Sequence, residues 1–136
     1  MSNLSAFLHP VQSTGTHEVV ISKRFVGEDG QPVPFRIRPL TQEENDAITK
    51  RCLRQTKVNG QIAERMDNVA YSRRLVVAAT VEPDFQNEEL CSAYGTMDPL
   101  EVPGKMLLAG EYSKLSKEIM ALSGFETDGL EDDAKN

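Results

Sequence analysis

Two stretches near the start of the chain alternate between apolar and polar positions. In "EVVISKRFV", Val19, Ile21 and Phe25 share one face, Ser22 and Arg24 the other, and Lys23 falls out of phase. In "VPFRIRPL" the alternation is cleaner: Val33, Phe35 and Ile37 oppose Arg36 and Arg38. Two period-two runs joined by "GEDGQP" predict a β-hairpin, and Asp29-Gly30 supplies the positive-φ residue that a tight turn needs. Pro34 and Pro39 lack N–H donors, which predicts that the second strand is an edge on at least one side. A lone hairpin is marginal in water, so its apolar face is expected to lie on the helices that follow.

The period then changes. "LTQEEND" reads as a helix start, with Thr41 as N-cap, Glu44 completing a capping box, and Glu43, Glu44 and Asp46 near the positive helix end. This helix is expected to run to about residues 55–57, with Ala47, Ile48 and Cys52 on one side. On another side Lys50, Arg54 and Lys57 would lie within about 60° of each other. "VNGQIAERM" reads as a loop, from its Asn59-Gly60 pair. Asp67 can cap a second helix, "NVAYSRRLVVAATV", whose later half is apolar all round and so central. A buried strand is the alternative for "LVVAATV", because β-branched residues are frequent there. Pro83 ends the element.

"PDFQNEELCSAYG" reads as a short helix capped at Asn87 and stopped by Gly95. Asp98-Pro99 is a further N-cap and N1 pair, and Pro103-Gly104 is expected to interrupt. A last helix is predicted over residues 111–123. Tyr112, Leu115, Ile119 and Leu122 form its apolar stripe, and Gly124-Phe125 suits the stop. The predicted fold is α+β: an N-terminal β-hairpin packed on a small bundle of about four helices. The predicted organisation is a flexible arm over 1–17, one domain over 18–125 and a disordered acidic tail over 126–136. Leu4, Phe7 and Leu8 give the arm, read as extended or poorly ordered, a short apolar segment to dock with.

Charge refines this picture. The net charge of −6 is uneven. Residues 126–136 hold five acids and one lysine, residues 50–74 seven bases and two acids, and residues 82–101 six acids and no base. These blocks are either solvated faces or complementary patches, within an oligomer or towards a partner. Lys50, Arg54, Lys57, Arg73 and Arg74 are the candidate self-association patch. A chain of pI near 4.9 without interleaved aromatics is a poor match to a nucleic-acid binder.

Catalytic chemistry finds little to work with. His9 and His17 both lie in the least structured segment, with no nucleophile motif around them. Cys52 and Cys91 have no ligand-spaced partner and read as reduced core thiols. The acid pairs Glu43-Glu44, Glu88-Glu89 and Asp132-Asp133 belong to helix starts or to the tail. "GEDG" is a turn, since no Gly-Lys-Ser/Thr follows. The residues thus predict no enzyme, no metal and no cofactor. No run of eighteen apolar residues predicts a membrane span, and "MSNLSAFLHP" lacks the basic start and apolar stretch of a secretory signal. The stripe of Tyr112, Leu115, Ile119 and Leu122 is either core or a groove partner for another helix.

The order of the pieces resembles the XkdN-like phage tail assembly chaperone family. The resemblance rests on "VVISKRFVGEDGQPVPFRIRPLTQEEND", "PDFQNEELCSAYG" and "KMLLAGEYSKLSKEIMALSGF", and covers roughly residues 17–125. It implies a non-enzymatic protein of the host bacterial cytoplasm that binds the tape measure protein. Such a protein keeps its client soluble until tail tube subunits polymerise, and is absent from the mature virion. Tail tube protein is a second implied partner, and self-association is a further expectation. On this reading Met106, Leu107 and Leu108 join Tyr112, Leu115, Ile119 and Leu122 in contacting the client. Alternatives are a structural tail or head component retained in the particle, and a small nucleic-acid-binding regulator. The two prolines of "DPLEVP" depart from the smooth helix that the family pattern suggests there.

Overall fold

The computed structural model describes residues 3–11 and 15–125, so the acidic tail expected over 126–136 lies outside the described residues. The architecture is α+β, with two small sheets and, among the described residues, six α-helices and one 3₁₀ turn. The N-terminal segment holds a helix, α1 (Leu4–Leu8), where extended or poorly ordered chain is expected. Its composition of Leu, Ser, Ala and Phe is compatible with a helical turn, closed by His9 N–H donating to the Ser5 carbonyl at 2.9 Å. Phe7 and Leu8 stay exposed.

The predicted hairpin forms, but less regularly than its alternation suggests. Strand β1 (His17–Val19) pairs antiparallel with β2 (Phe35–Ile37) in the register Val19 to Phe35 and His17 to Ile37. The chain between them bends away and returns through a bridge of Val26 with Pro32. Gly30, at φ +78°, closes the tip by donating to the Gly27 carbonyl at 3.0 Å. Strand β2 is not an edge: β5 (Thr80–Glu82) pairs on its other side, giving the order β1-β2-β5. The prolines permit this because Pro34 and Pro39 fall just outside the three paired residues. Their missing donors therefore cost the ladder nothing.

Helix α2 (Gln42–Cys52) begins as predicted, with Thr41 Oγ1 accepting from Glu44 N–H at 3.2 Å and Glu44 accepting from Thr41 N–H at 3.1 Å. It ends three to five residues early. Residues 53–66, expected as helix end and loop, form a second hairpin of β3 (Leu53–Val58) and β4 (Gln61–Met66). Asn59 at φ +54° and Gly60 at φ +80° make its two-residue turn, the conformation that Asn-Gly favours. This hairpin projects from the body, and every residue of β3 is exposed.

Helix α3 (Asn68–Ala79) is capped by Asp67, whose Oδ1 accepts from Ala70 N–H at 3.0 Å. The ambiguity of "LVVAATV" resolves both ways: the helix runs to Ala79, and Thr80–Glu82 continues as β5. Helix α4 (Glu88–Ala93) is capped by Asn87, and Gly95, at φ +72°, takes the left-handed position after it. Asp98 caps a 3₁₀ turn over Pro99–Glu101, and α5 (Val102–Met106) follows directly. Pro103 does not interrupt, because it sits in the first turn, where no N–H is needed. Helix α6 (Ala109–Leu122) ends in a Schellman arrangement, with Gly124 at φ +93° and Phe125 N–H donating to the Met120 carbonyl at 3.0 Å.

One core unites these parts. Phe35 and Ile37 of β2 meet Ile48 and Cys52 of α2, Leu75, Val76 and Ala79 of α3, Phe85, Val102, and Leu115 and Ile119 of α6. Each large side chain removed from water in this way contributes about 1.5–3 kcal/mol. Cys52 and Cys91 are free thiols buried within this cluster.

Candidate functional site

Helices α3, α5 and α6 leave an open cleft of about 590 Å³ between them. Asn68, Val69, Ser72 and Arg73 line it from α3, Gly104 from α5, Leu107 from the α5–α6 junction, and Ala109 and Tyr112 from α6. The Asp67 cap starts α3 at this edge, so Asn68 and Val69 stand in its first turn. Val69 is 63% exposed and Leu108, between two lining residues, 60%. Ser72 Oγ and Tyr112 Oη hydrogen-bond at 2.8 Å across the cleft, joining α3 to α6. Arg73 contributes positive charge beside this apolar surface.

The other wall is set from a distance by an ion pair. Glu111, in the first turn of α6, accepts from Leu108 N–H at 2.8 Å. It also accepts from both Nε and Nη2 of Arg24, the Nε contact being 3.0 Å. The same guanidinium donates to the Met106 carbonyl at 3.1 Å and lies 4.9 Å above the Phe25 ring. Lys114 Nζ donates to the Val20 carbonyl at 2.9 Å. The irregular chain between β1 and β2 thereby clamps α5 and α6. Hydrogen bonds from Arg24 and then Ser22 hold the Glu111 carboxyl at about 2, well below its ordinary value. A similar pair, Arg38 with Glu44 at 2.6 and 3.1 Å, stands at the start of α2 and holds Glu44 at about 2.

The residues expected to contact a client divide sharply. Leu115 and Ile119 are both 0% exposed and face the core with α3. Met106 and Leu107 are buried, although Leu107 also forms part of the cleft. Tyr112 and Leu122 are half-buried and Leu108 is exposed. The cleft surface here is made by Leu107 and Tyr112 with exposed Leu108 beside them, while Leu115 and Ile119 are fully buried. Val69 and Ser72 escape a reading confined to the last helix. The available signal was Val69, an apolar residue in the first turn of a capped helix.

The basic residues are likewise dispersed. Lys50 is on α2. Arg54 and Lys57 are on β3, and Arg54 pairs with Asp67 at 3.8 Å. Arg73 and Arg74, neighbours in sequence, line different clefts on either side of α3. The helical face imagined for Lys50, Arg54 and Lys57 does not exist, because α2 stops at Cys52.

Among the described residues, no three His, Cys, Asp or Glu side chains come together in a metal-ligating group. No helix among them is long and apolar enough to cross a membrane. The cleft offers apolar contact, two hydroxyls already bonded to each other, and one cationic edge.

The family model for the phage XkdN-like tail assembly chaperone protein matches residues 4–135. The chain belongs to this family. Like the family, it is placed in phage tail assembly, and membership implies protein partners in that process. The chain is 36% identical over 124 residues to the phage-like element PBSX protein XkdN of Bacillus subtilis strain 168. It is 38% identical over 124 residues to the protein YqbN of the same strain. Each match covers 88% of this chain and 83% of the relative. The crystal structure of YqbN superposes with a TM-score of 0.73 at 32% identity, covering 93% of this chain and 99% of that one.

Proposed function

We propose that this protein is a non-enzymatic chaperone that binds the tape measure protein of a phage or prophage tail and keeps it soluble until the tail tube polymerises. The observation that carries this reading is the open apolar cleft of α3, α5 and α6 on a chain of this family. A long helical client exposes apolar stripes that aggregate when bare. A groove between helices with an apolar floor accepts such a stripe in the helix-in-groove mode. Val69, Leu107, Leu108 and Tyr112 are the proposed anchors, with Arg73 selecting an acidic residue beside the stripe. Many copies along one client would gain from multivalency while each contact stays weak enough to release. The protein acts in the host bacterial cytoplasm and leaves before the virion matures. Tail tube protein is the second proposed partner.

The test is co-expression with the tape measure protein. Val69→Asp with Leu108→Asp alters exposed positions only, so the fold is expected to stand and the client to precipitate. A double variant that folds and still keeps the client soluble would show that the cleft is not the binding surface. Mass analysis of purified tails is expected to lack the protein; finding it there in stoichiometric amount would make it a structural component instead.

A further inference from the structure

A second cleft, of about 240 Å³, lies between α2 and α3 on the other side of the latter helix. Ile48, Val77, Ala78 and Leu100 form an apolar floor, and Arg51 and Arg74 stand over it. Neither guanidinium has a hydrogen-bonding or ion-pair partner among the described residues, a state shared with Arg65 and Arg73, whereas Arg24, Arg36, Arg38 and Arg54 are paired with carboxylates; only at this cleft do two such arginines stand together. Two unpaired cations over an apolar floor suit a peptide that carries an apolar side chain beside carboxylates.

The chain contains such a peptide. Residues 126–136, "ETDGLEDDAKN", place Leu130 directly before Glu131, Asp132 and Asp133, and carry five acids against one lysine. The tail's root is tied to the helix that forms one wall of the cleft. Ser123 Oγ at the end of α6 accepts from Leu40 N–H at 3.0 Å, which sets the tail's root beside the start of α2. Ala47 and Arg51 line the cleft six and ten residues after the Thr41 cap, a rise of about 9–15 Å along α2. Leu130 to Asp133 stand five to eight residues beyond Phe125, a reach of up to about 17–27 Å when extended.

We propose that the acidic tail of this chain docks in cis on the Arg51–Arg74 cleft, with Leu130 on the apolar floor and Glu131, Asp132 and Asp133 facing the two guanidinium groups. The tail is then a built-in competitor for any acidic partner segment that approaches this side of α3. The inference is independent of what the first cleft binds.

The test uses the full chain with Ala134→Cys carrying a nitroxide label; Cys52 and Cys91, 0% and 5% exposed, stay unlabelled. At low salt, paramagnetic broadening is expected at the amides of Arg51, Ala78 and Gln86 and not at Gly60 of the hairpin tip. Arg51→Glu with Arg74→Glu is expected to restore those signals, as is Glu131→Gln with Asp132→Asn and Asp133→Asn, which leaves the folded body untouched. Each exposed ion pair removed lowers the docked-to-free ratio by up to about fivefold. Labelled protein without isotope, mixed with unlabelled isotopic protein, is expected to show no broadening. Absence of broadening at the cleft overturns the proposal, as does broadening that survives both charge variants. Broadening in the mixed sample as strong as in the fully labelled one assigns the cleft to the tail of a second copy and also overturns docking in cis.

Discussion

Replacing Leu115 by alanine separates a core stripe from a contact stripe. Leu115 is fully buried on α6, in the cluster that holds Leu75, Val76 and Ala79 of α3. The change removes three carbons, about 2.4 kcal/mol at roughly 0.8 kcal/mol per buried methylene. A cavity of partly relaxed walls adds to this, for a total of about 3–4 kcal/mol. That is a large share of the roughly 5–15 kcal/mol by which a domain is stable. With a urea slope of about 2 kcal/mol/M, the unfolding midpoint should fall by roughly 1.5–2 M. Leu108→Ala provides the contrast: at a 60% exposed position it should change stability by no more than about 0.5 kcal/mol. Urea titrations of both variants by far-UV circular dichroism decide the matter. If Leu115→Ala shifts the midpoint no more than Leu108→Ala does, then α6 does not pack on α3 as described, and the assignment of the stripe to the core fails.

The two paired glutamates predict an acid dependence. Their carboxyl groups are held at about 2 in the folded state against an ordinary 4.5, so their contribution is fully present above the ordinary value and is lost as pH falls towards 2. Glu44→Gln with Glu111→Gln should flatten stability between about pH 4.5 and 2, and an unchanged pH profile in denaturant titrations would contradict the Arg38 and Arg24 pairs. At the projecting hairpin, Gly60→Ala forces a side chain into the left-handed region at a cost of about 1 kcal/mol. Amide exchange should quicken across residues 53–66 and stay unchanged in α3; equal acceleration in both would mean that the hairpin and the core open together.

Features that close within one turn of chain were legible in the sequence. Thr41 with Glu44, Asp67, Asn87 and Asp98 are caps whose donors lie two or three residues away. Gly30, Gly95 and Gly124 take positive φ where a turn or a helix stop requires it. Such devices depend on neighbours that the sequence itself supplies. The family pattern was legible for a similar reason, since it is carried by runs of adjacent residues. The tertiary structure decided what depends on partners far along the chain. Strand β2 became central only because Thr80–Glu82, some forty residues later, pairs with it. The hairpin of residues 53–66 carried its Asn-Gly turn openly, but "LRQTKV" shows no clean alternation, because both faces meet solvent and no period of burial marks it. A single stripe on α6 was split into buried Leu115 and Ile119 and half-buried Tyr112 and Leu122 by the placement of α3. Periodicity tells which side chains share a face; only the packing of another helix determines how far across that face water is excluded.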